Sequence, residues 1–213
     1  MLDNNIKNWD DLNLKDNLLR GIYSYGFEKP SEIQKKAILP IIKKNDLIAQ
    51  AQSGTGKTGT FSIASIQTVN ELDNSTQIII LSTTRELAIQ THKVIESIST
   101  FMENIKIKLL TGGTSVNADI SYLNNNQPHI VVGTPGRVFD MVKRKKLNLI
   151  TVKLFILDEA DEMLSHGFKD QIKTIFGYFN EDVQTAIFSA TMPKDVIELT
   201  THFMKTPIKI IVN

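Results

Sequence analysis

Six short apolar runs, each followed at once by glycines, hydroxyls or charges, constrain this chain more than any other feature. They are Leu47–Ala49, Ile78–Leu81, Ile105–Leu110, Ile130–Val132, Leu154–Leu157 and Ala186–Phe188. All are too short for buried helices and several are rich in isoleucine or valine, so they read as strands. Near-continuous hydrophobicity predicts burial on both faces, the habit of parallel strands covered by helices. Between the runs lie longer amphipathic stretches. Leu87, Val94, Ile95, Ile98 and Phe101 fall on one helical stripe. Two more helical patterns cover Lys15–Tyr25 and Ser31–Lys44, and Thr134-Pro135 reads as an N-cap with proline in the first turn. This alternation predicts an α/β fold, a doubly wound and mainly parallel sheet flanked by helices, with right-handed crossovers. Ile208–Val212 is a candidate for one more strand.

With 213 residues, six prolines and no low-complexity tract, the chain is expected to form a single domain over 1–213, with about 1–25 as an N-terminal flanking segment. Lysine and arginine total 24 against 23 acidic residues, so any site for a polyanion has to be local. Cysteine is absent, which excludes disulfides and thiolate catalysis. No apolar leader opens the sequence and no run is long enough to span a bilayer, so a soluble, intracellular protein is expected.

In a doubly wound sheet, ligands collect outside the carboxyl ends of the strands. The segments at those ends are Gln50–Thr58, Ser82–Arg85, Thr111–Gly113, Gly133–Arg137, Asp158–Asp161 and Ser189–Thr191. Glycines, hydroxyls, arginines and carboxylates concentrate in them, so phosphate and metal chemistry is expected along one edge.

The first segment carries Ala51, Gln52, Ser53, Gly54, Thr55, Gly56, Lys57 and Thr58 between a strand and a helix. Glycines there let successive amides turn inward onto phosphate oxygens, and the helix start adds its positive end. Lys57 is placed to reach the β- and γ-phosphates, and the Thr58 hydroxyl to bind Mg²⁺. The fifth segment begins with Asp158, a second candidate for Mg²⁺, and continues with Glu159, placed to orient or deprotonate an attacking water. The four acidic-strand residues could instead simply begin a helix, where negative side chains are favoured. A buried Asp158 at a strand end nonetheless requires a compensating cation or hydrogen bonds.

Asp158-Glu159-Ala160-Asp161 is the tetrapeptide that marks the DEAD-box ATP-dependent RNA helicases. Other blocks follow in the family's order: Gly26 to Gln34, Thr84-Arg85-Glu86-Leu87-Ala88, Gly112-Gly113, Thr134-Pro135-Gly136-Arg137-Val138 and Ser189-Ala190-Thr191. From about Trp9 to Val212 the chain resembles the N-terminal, RecA-like phosphate-loop NTPase domain of that family. Leu18 to Tyr23, Gly167 to Ile172 and Phe203-Met204 look most like the translation-initiation subfamily, which includes the cap-binding-complex helicase and its exon-junction relative.

The resemblance implies ATP and Mg²⁺ as cofactors. It places Phe27, Lys29 and Gln34 at the nucleotide, Gln34 through an amide able to donate to and accept from an adenine edge. It places Thr84, Arg85, Gly113, Thr134, Gly136 and Arg137 on the RNA backbone, where contacts carry no sequence information and are salt-sensitive. Asp161, Ser189 and Thr191 match the block that couples hydrolysis to strand separation, with Asp161 expected to accept a hydrogen bond from Ser189. Trp9 is either the family's upstream aromatic or a core residue. Ser82-Thr83 departs from the usual Ala-Pro, which is expected to free an N–H and loosen that turn. Lys143-Arg144-Lys145-Lys146 reads as a solvated helix end.

The family's cleft lies between two RecA-like domains, and the second is expected beyond Asn213, absent from this chain. Scaffold or initiation-factor proteins are expected partners besides RNA, no membrane is, and the cytoplasm is the expected home with the nucleus open. The expected function is an RNA-stimulated ATPase that unwinds short duplexes. The alternative is an ATP-dependent RNA clamp of the exon-junction type. A small-molecule phosphate-loop kinase would fit the loop alone, but Glu159 and the Gln34 block argue against it.

Overall fold

The computed structural model describes residues 6–212; Met1–Asn5, the start of the flanking segment, and Asn213 lie outside the described residues. The strands are β1 Leu47–Ala51, β2 Ile78–Leu81, β3 Ile107–Leu110, β4 Ile130–Gly133, β5 Leu154–Leu157, β6 Gln184–Ser189 and β7 Ile208–Val212. They form one sheet in the order β3-β4-β2-β5-β6-β1-β7, and every described pair is parallel. The expected six runs and the further candidate are all strands, with the third starting two residues later than its apolar run.

Helices α1 Asp16–Ser24, α2 Glu32–Ile42, α3 Lys57–Thr68, α4 Arg85–Ile98, α5 Val116–Asn125, α6 Pro135–Lys143, α7 Ala160–Ser165, α8 Lys169–Phe176 and α9 Lys194–Phe203 flank the sheet. Alternation along the strands divides the core. Ile78, Ile80, Leu154, Ile156 and Phe188 face the layer of α1 to α4, while Ile79, Leu81, Phe155, Leu157 and Ile187 face that of α5 to α9. On the first side Phe61 of α3 meets Phe188 edge-on at 5.3 Å; on the second, Phe155 lies among Phe176, Phe179 and Phe203. The central strands β2, β4 and β5 are apolar on both faces because both are covered, whereas the edge strands β3 and β7 carry Lys108 and Lys209. No described helix is long and apolar enough to cross a membrane.

Two local expectations change. The apolar stripe on α4 narrows: Leu87 is half-buried, and the helix stops at Ile98, leaving Phe101 beyond it beneath the guanidinium of Arg20 at 4.0 Å. Thr134 is the N-cap of α6 with Pro135 in the first turn, but its hydroxyl makes no capping hydrogen bond, so it remains available to other partners.

α1 approaches the end of α4 so closely that a Cβ at Gly21 would lie 1.8 Å from the carbonyl oxygen of Ile98. Gly21→Ala is therefore expected to force the two helices apart and cost about 2 kcal/mol or more, the range of overpacked cores. Thermal unfolding should show a midpoint roughly 4–8 °C lower; an unchanged midpoint would show that the approach is not tight.

Candidate active site

Because all strands run in one direction, the segments at their carboxyl ends share one edge. β6 lies between β1, which leads into the phosphate loop, and β5, which leads into Asp158. The glycine-rich loop, the acidic strand end and the Ser189–Thr191 turn are thus brought side by side. Lys57 and Asp158 are near enough for the lysine's charge to act on the carboxyl.

The loop Gln52–Gly56 leaves β1 and starts α3 at Lys57. Gly54 (φ +81°) and Gly56 (φ +100°) take the left-handed conformation that curls the chain over the helix start. Gln52, Ser53 and Gly54 are exposed, whereas Thr55 and Thr58 are half-buried. Thr55 Oγ1 donates to the Gln52 carbonyl at 2.7 Å. The buried Lys57 ammonium donates to the carbonyl of Ala51 at 2.9 Å, back across the mouth of the loop.

The block around Gln34 is built directly onto this loop. Ser31 Oγ donates to the Thr55 carbonyl at 2.8 Å, and Gln34 Nε2 donates to that of Gly56 at 3.3 Å. Gln34 Oε1 accepts the Ser31 amide at 2.7 Å, completing a capping box at the start of α2. A Cβ at Gly56 would sit 2.7 Å from Ser31 Oγ, and one at Gly59 would sit 2.7 Å from Gln34 Nε2 and 3.1 Å from the Phe27 ring. Both glycines are what lets the block close on the loop. Phe27 is half-buried with Tyr25 edge-on at 4.8 Å, and Lys29 is exposed. Trp9 is fully buried and donates from Nε1 to the Phe27 carbonyl at 2.9 Å, so it supports Phe27 from behind. Ser31 escaped the sequence reading although a signal existed: Ser-x-x-Gln at a helix start is a capping-box pattern.

Asp158 closes β5, buried, with Oδ1 lacking any hydrogen-bond partner. Burial pushes its carboxyl from the ordinary 3.8 up to about 7, the Glu159 charge adds to the rise, and Lys57 only partly opposes it. An orphaned carboxylate oxygen beside a lysine fits a cation ligand. Among the described residues no group of three or more carboxylates or histidines converges. A cation here would therefore need oxygens from Thr58, water and a phosphate besides Asp158, the habit of Mg²⁺ on nucleotides.

Glu159 occupies the left-handed region (φ +53°), an uncommon conformation for a residue with a Cβ. It is the N-cap of α7, so the expected helix starts one residue later, with Asp161 and Glu162 in its first turn. Thr83 Oγ1 approaches the Glu159 carbonyl at 3.5 Å, and the Ser82 amide donates to Gly133 at 2.9 Å. Ser82-Thr83 therefore ties its turn to both neighbouring strand ends, contrary to the loosening expected from the missing proline.

Asp161 is bonded differently from expectation. Its carboxylate accepts from the amide and hydroxyl of Thr191 at 3.0 and 2.8 Å, while its own amide donates to Ser189 Oγ at 3.2 Å. Burial would raise this carboxyl, but the Thr191 and Ser189 hydroxyls beside it outweigh burial and hold it below its ordinary value. The three residues form one bonded unit linking the ends of β5 and β6.

Further along the edge, Thr84, Arg85, Gly113 and Gly136 are exposed and Thr134 is half-buried. Thr84 Oγ1 caps α4 by accepting the Leu87 amide at 3.2 Å. Gly113 (φ +76°) lies under Arg85, whose Nη1 would be 2.7 Å from a Cβ there. Arg137 behaves unlike the rest. It is buried, paired with Asp119, and donates to the Thr114 carbonyl at 2.9 Å and Thr114 Oγ1 at 3.0 Å. Neither Asp119 nor Thr114 stood out in the sequence, since both lie outside any motif.

The family model for DEAD/DEAH box helicases matches residues 31–199. The chain is 53% identical over 210 residues to an ATP-dependent RNA helicase eIF4A from Lodderomyces elongisporus, covering 99% of this chain and 52% of that protein. Among solved structures it resembles a DEAD box protein from Methanococcus jannaschii, with TM-score 0.92 and 43% identity over 97% of this chain and 56% of the other. It also resembles S. cerevisiae Dbp5 in a complex with Nup159, Gle1, IP6 and ADP, with TM-score 0.84 and 36% identity over 93% of this chain and 52% of the other. The chain thus spans about half the length of these relatives.

The Asp158 environment has a measurable consequence. An acid whose folded-state pKa is raised destabilises the fold as pH climbs from its ordinary value of 3.8 towards about 7, because only the unfolded chain ionises freely. In the absence of nucleotide and magnesium, the stability of Asp158→Asn relative to wild type should therefore rise by a few kcal/mol between about pH 4 and 7 and then level off. Chemical denaturation across that range measures it, and a pH-independent difference would show that the Asp158 carboxyl is not perturbed.

Proposed function

The chain belongs to the DEAD/DEAH box helicase family, and from that premise we propose that it is the ATP-binding domain of an RNA-stimulated ATPase that unwinds short RNA duplexes in translation initiation. The observation that carries this reading is the meeting, across β6, of the Lys57 loop and the Asp158–Glu159 strand end, with a buried carboxylate oxygen of Asp158 left for a cation. The name of the L. elongisporus relative supports the initiation reading over the exon-junction clamp.

In this proposal the amides of Ser53–Lys57 cradle the phosphates and Lys57 leaves the Ala51 carbonyl for the β- and γ-phosphates. Thr58 and Asp158 would hold Mg²⁺, which would supply Lewis-acid stabilisation of the phosphoryl oxygens. Glu159, held out from the helix by its left-handed backbone, orients the attacking water and accepts its proton. Gln34 and Phe27 recognise adenine, Gln34 reporting to the loop through Gly56, and the exposed Lys29 contributes to the same nucleotide site. Asp161, Ser189 and Thr191 carry the change in nucleotide state to the neighbouring strand end. Thr84, Arg85, Gly113, Thr134 and Gly136 take the RNA backbone without reading sequence.

A second RecA-like domain completes the cleft, and an arginine finger from such a domain is worth on the order of 10³–10⁵ in rate. Protein partners are part of the proposal, in keeping with the neighbour's complex with Nup159 and Gle1. A cytoplasmic placement is part of the same proposal, supported by the name of the L. elongisporus relative.

Two measurements test this reading. Glu159→Gln, in a protein containing both domains, should bind Mg-ATP as wild type does while releasing phosphate at least about 10²-fold more slowly, the typical contribution of a general base. Near-normal phosphate release would remove Glu159 from the reaction. This chain alone should bind adenine nucleotide weakly and hydrolyse ATP slowly; RNA-stimulated turnover equal to the two-domain protein would end the proposal that a partner domain is needed.

A further inference from the structure

Arg137 sits in the RNA-matching block, yet its geometry is that of a residue facing inwards. It is 8% exposed, and Asp119 on α5, paired with it, is 4% exposed. Lys108 of β3 approaches the other carboxylate oxygen of Asp119 at 2.9 Å. One buried carboxylate is therefore shared by two cations from two different elements. Arg137 passes that anchorage on through the forked bonds to Thr114 Oγ1 and the Thr114 carbonyl. Thr114 Oγ1 in turn donates to the Thr111 carbonyl at 2.9 Å, closing the turn that contains Gly112 and Gly113. Gly113 is the residue over which the exposed Arg85 lies. A continuous chain of contacts runs from the buried charges to a guanidinium on the surface.

We propose that Asp119, with Lys108 and Arg137, is a positioning device for RNA binding: it fixes the Gly112–Thr114 turn, which seats Arg85 for the phosphate backbone, and the Arg137 side chain acts through that turn without touching RNA. The inference rests on the proposed reading of this edge as RNA-binding. The physical reasons are two. A lysine at position 137 could keep the charge but not the planar fork that holds two Thr114 oxygens at once. Removing the Asp119 charge would leave the buried Arg137 guanidinium facing the half-buried Lys108 ammonium with no carboxylate between them, which drives the guanidinium away from Thr114.

The sign of the effect separates this from simple electrostatics. Asp119→Asn removes a negative charge near a polyanion site, so the field alone would tighten RNA binding. Positioning requires the opposite. Fluorescence anisotropy on a protein containing both domains, with a labelled oligouridylate and a non-hydrolysable ATP analogue at low salt, well below the unfolding midpoint of each variant, makes the comparison. Asp119→Asn and Arg137→Lys should each weaken RNA binding by about tenfold, with affinity for the analogue unchanged, and the Asp119→Asn loss should vanish in an Arg85→Ala background. Thr114→Ala, on the exposed turn and outside the core, should weaken binding several-fold and keeps the test decisive should Asp119→Asn fail to fold. Tighter or unchanged binding by these variants, or losses that add to that of Arg85→Ala, overturns the inference. If the wild-type two-domain protein shows no RNA binding that Arg85→Ala diminishes, the reading of the edge itself falls, and this inference with it.

Discussion

Asp158 ends a strand that is buried on both faces, so its carboxylate leaves water without gaining a full set of partners. Lys57 and the Glu159 backbone amide supply part of the compensation, and one carboxylate oxygen keeps no partner. That imbalance organises the rest of the edge. The lysine bonds to its own loop at Ala51, the carboxyl is pushed towards neutrality, and a magnesium-bound phosphate would relieve both at once. Binding energy is thereby concentrated on the one ligand that brings a cation and an anion together.

Around this centre the protein uses backbone geometry in preference to long side chains. Gly56 and Gly59 let the Ser31–Gln34 corner close on the glycine-rich loop, so the Gln34 amide and the loop backbone form one piece. The Asp161–Thr191 bonds join the acidic strand end to the next turn in the same way. A change felt at the phosphates has short, hydrogen-bonded routes to both sides of the cleft. Overall charge plays little part, in keeping with a chain of nearly balanced composition.

The sheet was legible because its central strands are apolar on both faces and its loops are not. The phosphate loop and the acidic strand end were legible because glycine, lysine and aspartate at those spacings have few other uses. What stayed hidden depended on pairing between distant residues. Nothing in the sequence ties Asp119 to Arg137, eighteen positions away, and the burial of Arg137 cannot be read from its block. Hydrogen-bond direction was equally out of reach. Ser189 and Asp161 are adjacent as expected, but the amide donates to the hydroxyl and Thr191 takes the carboxylate. The missing proline before Thr84 suggested a looser turn, whereas the hydroxyl that replaces it finds the Glu159 carbonyl.

Strand order has an implication for synthesis. β1 carries the phosphate loop and is made early, yet its two neighbours in the sheet, β6 and β7, are the last strands of this chain to be made. Until they emerge, the loop hangs from a strand with both edges bare, although Asp158 and Glu159, which precede β6, are already made. Loop closure over so long a separation is slow for parallel pairings. The meeting of the loop with the acidic strand end therefore waits for the last strands, and a nascent chain of this kind leaves both edges of β1 unpaired until then.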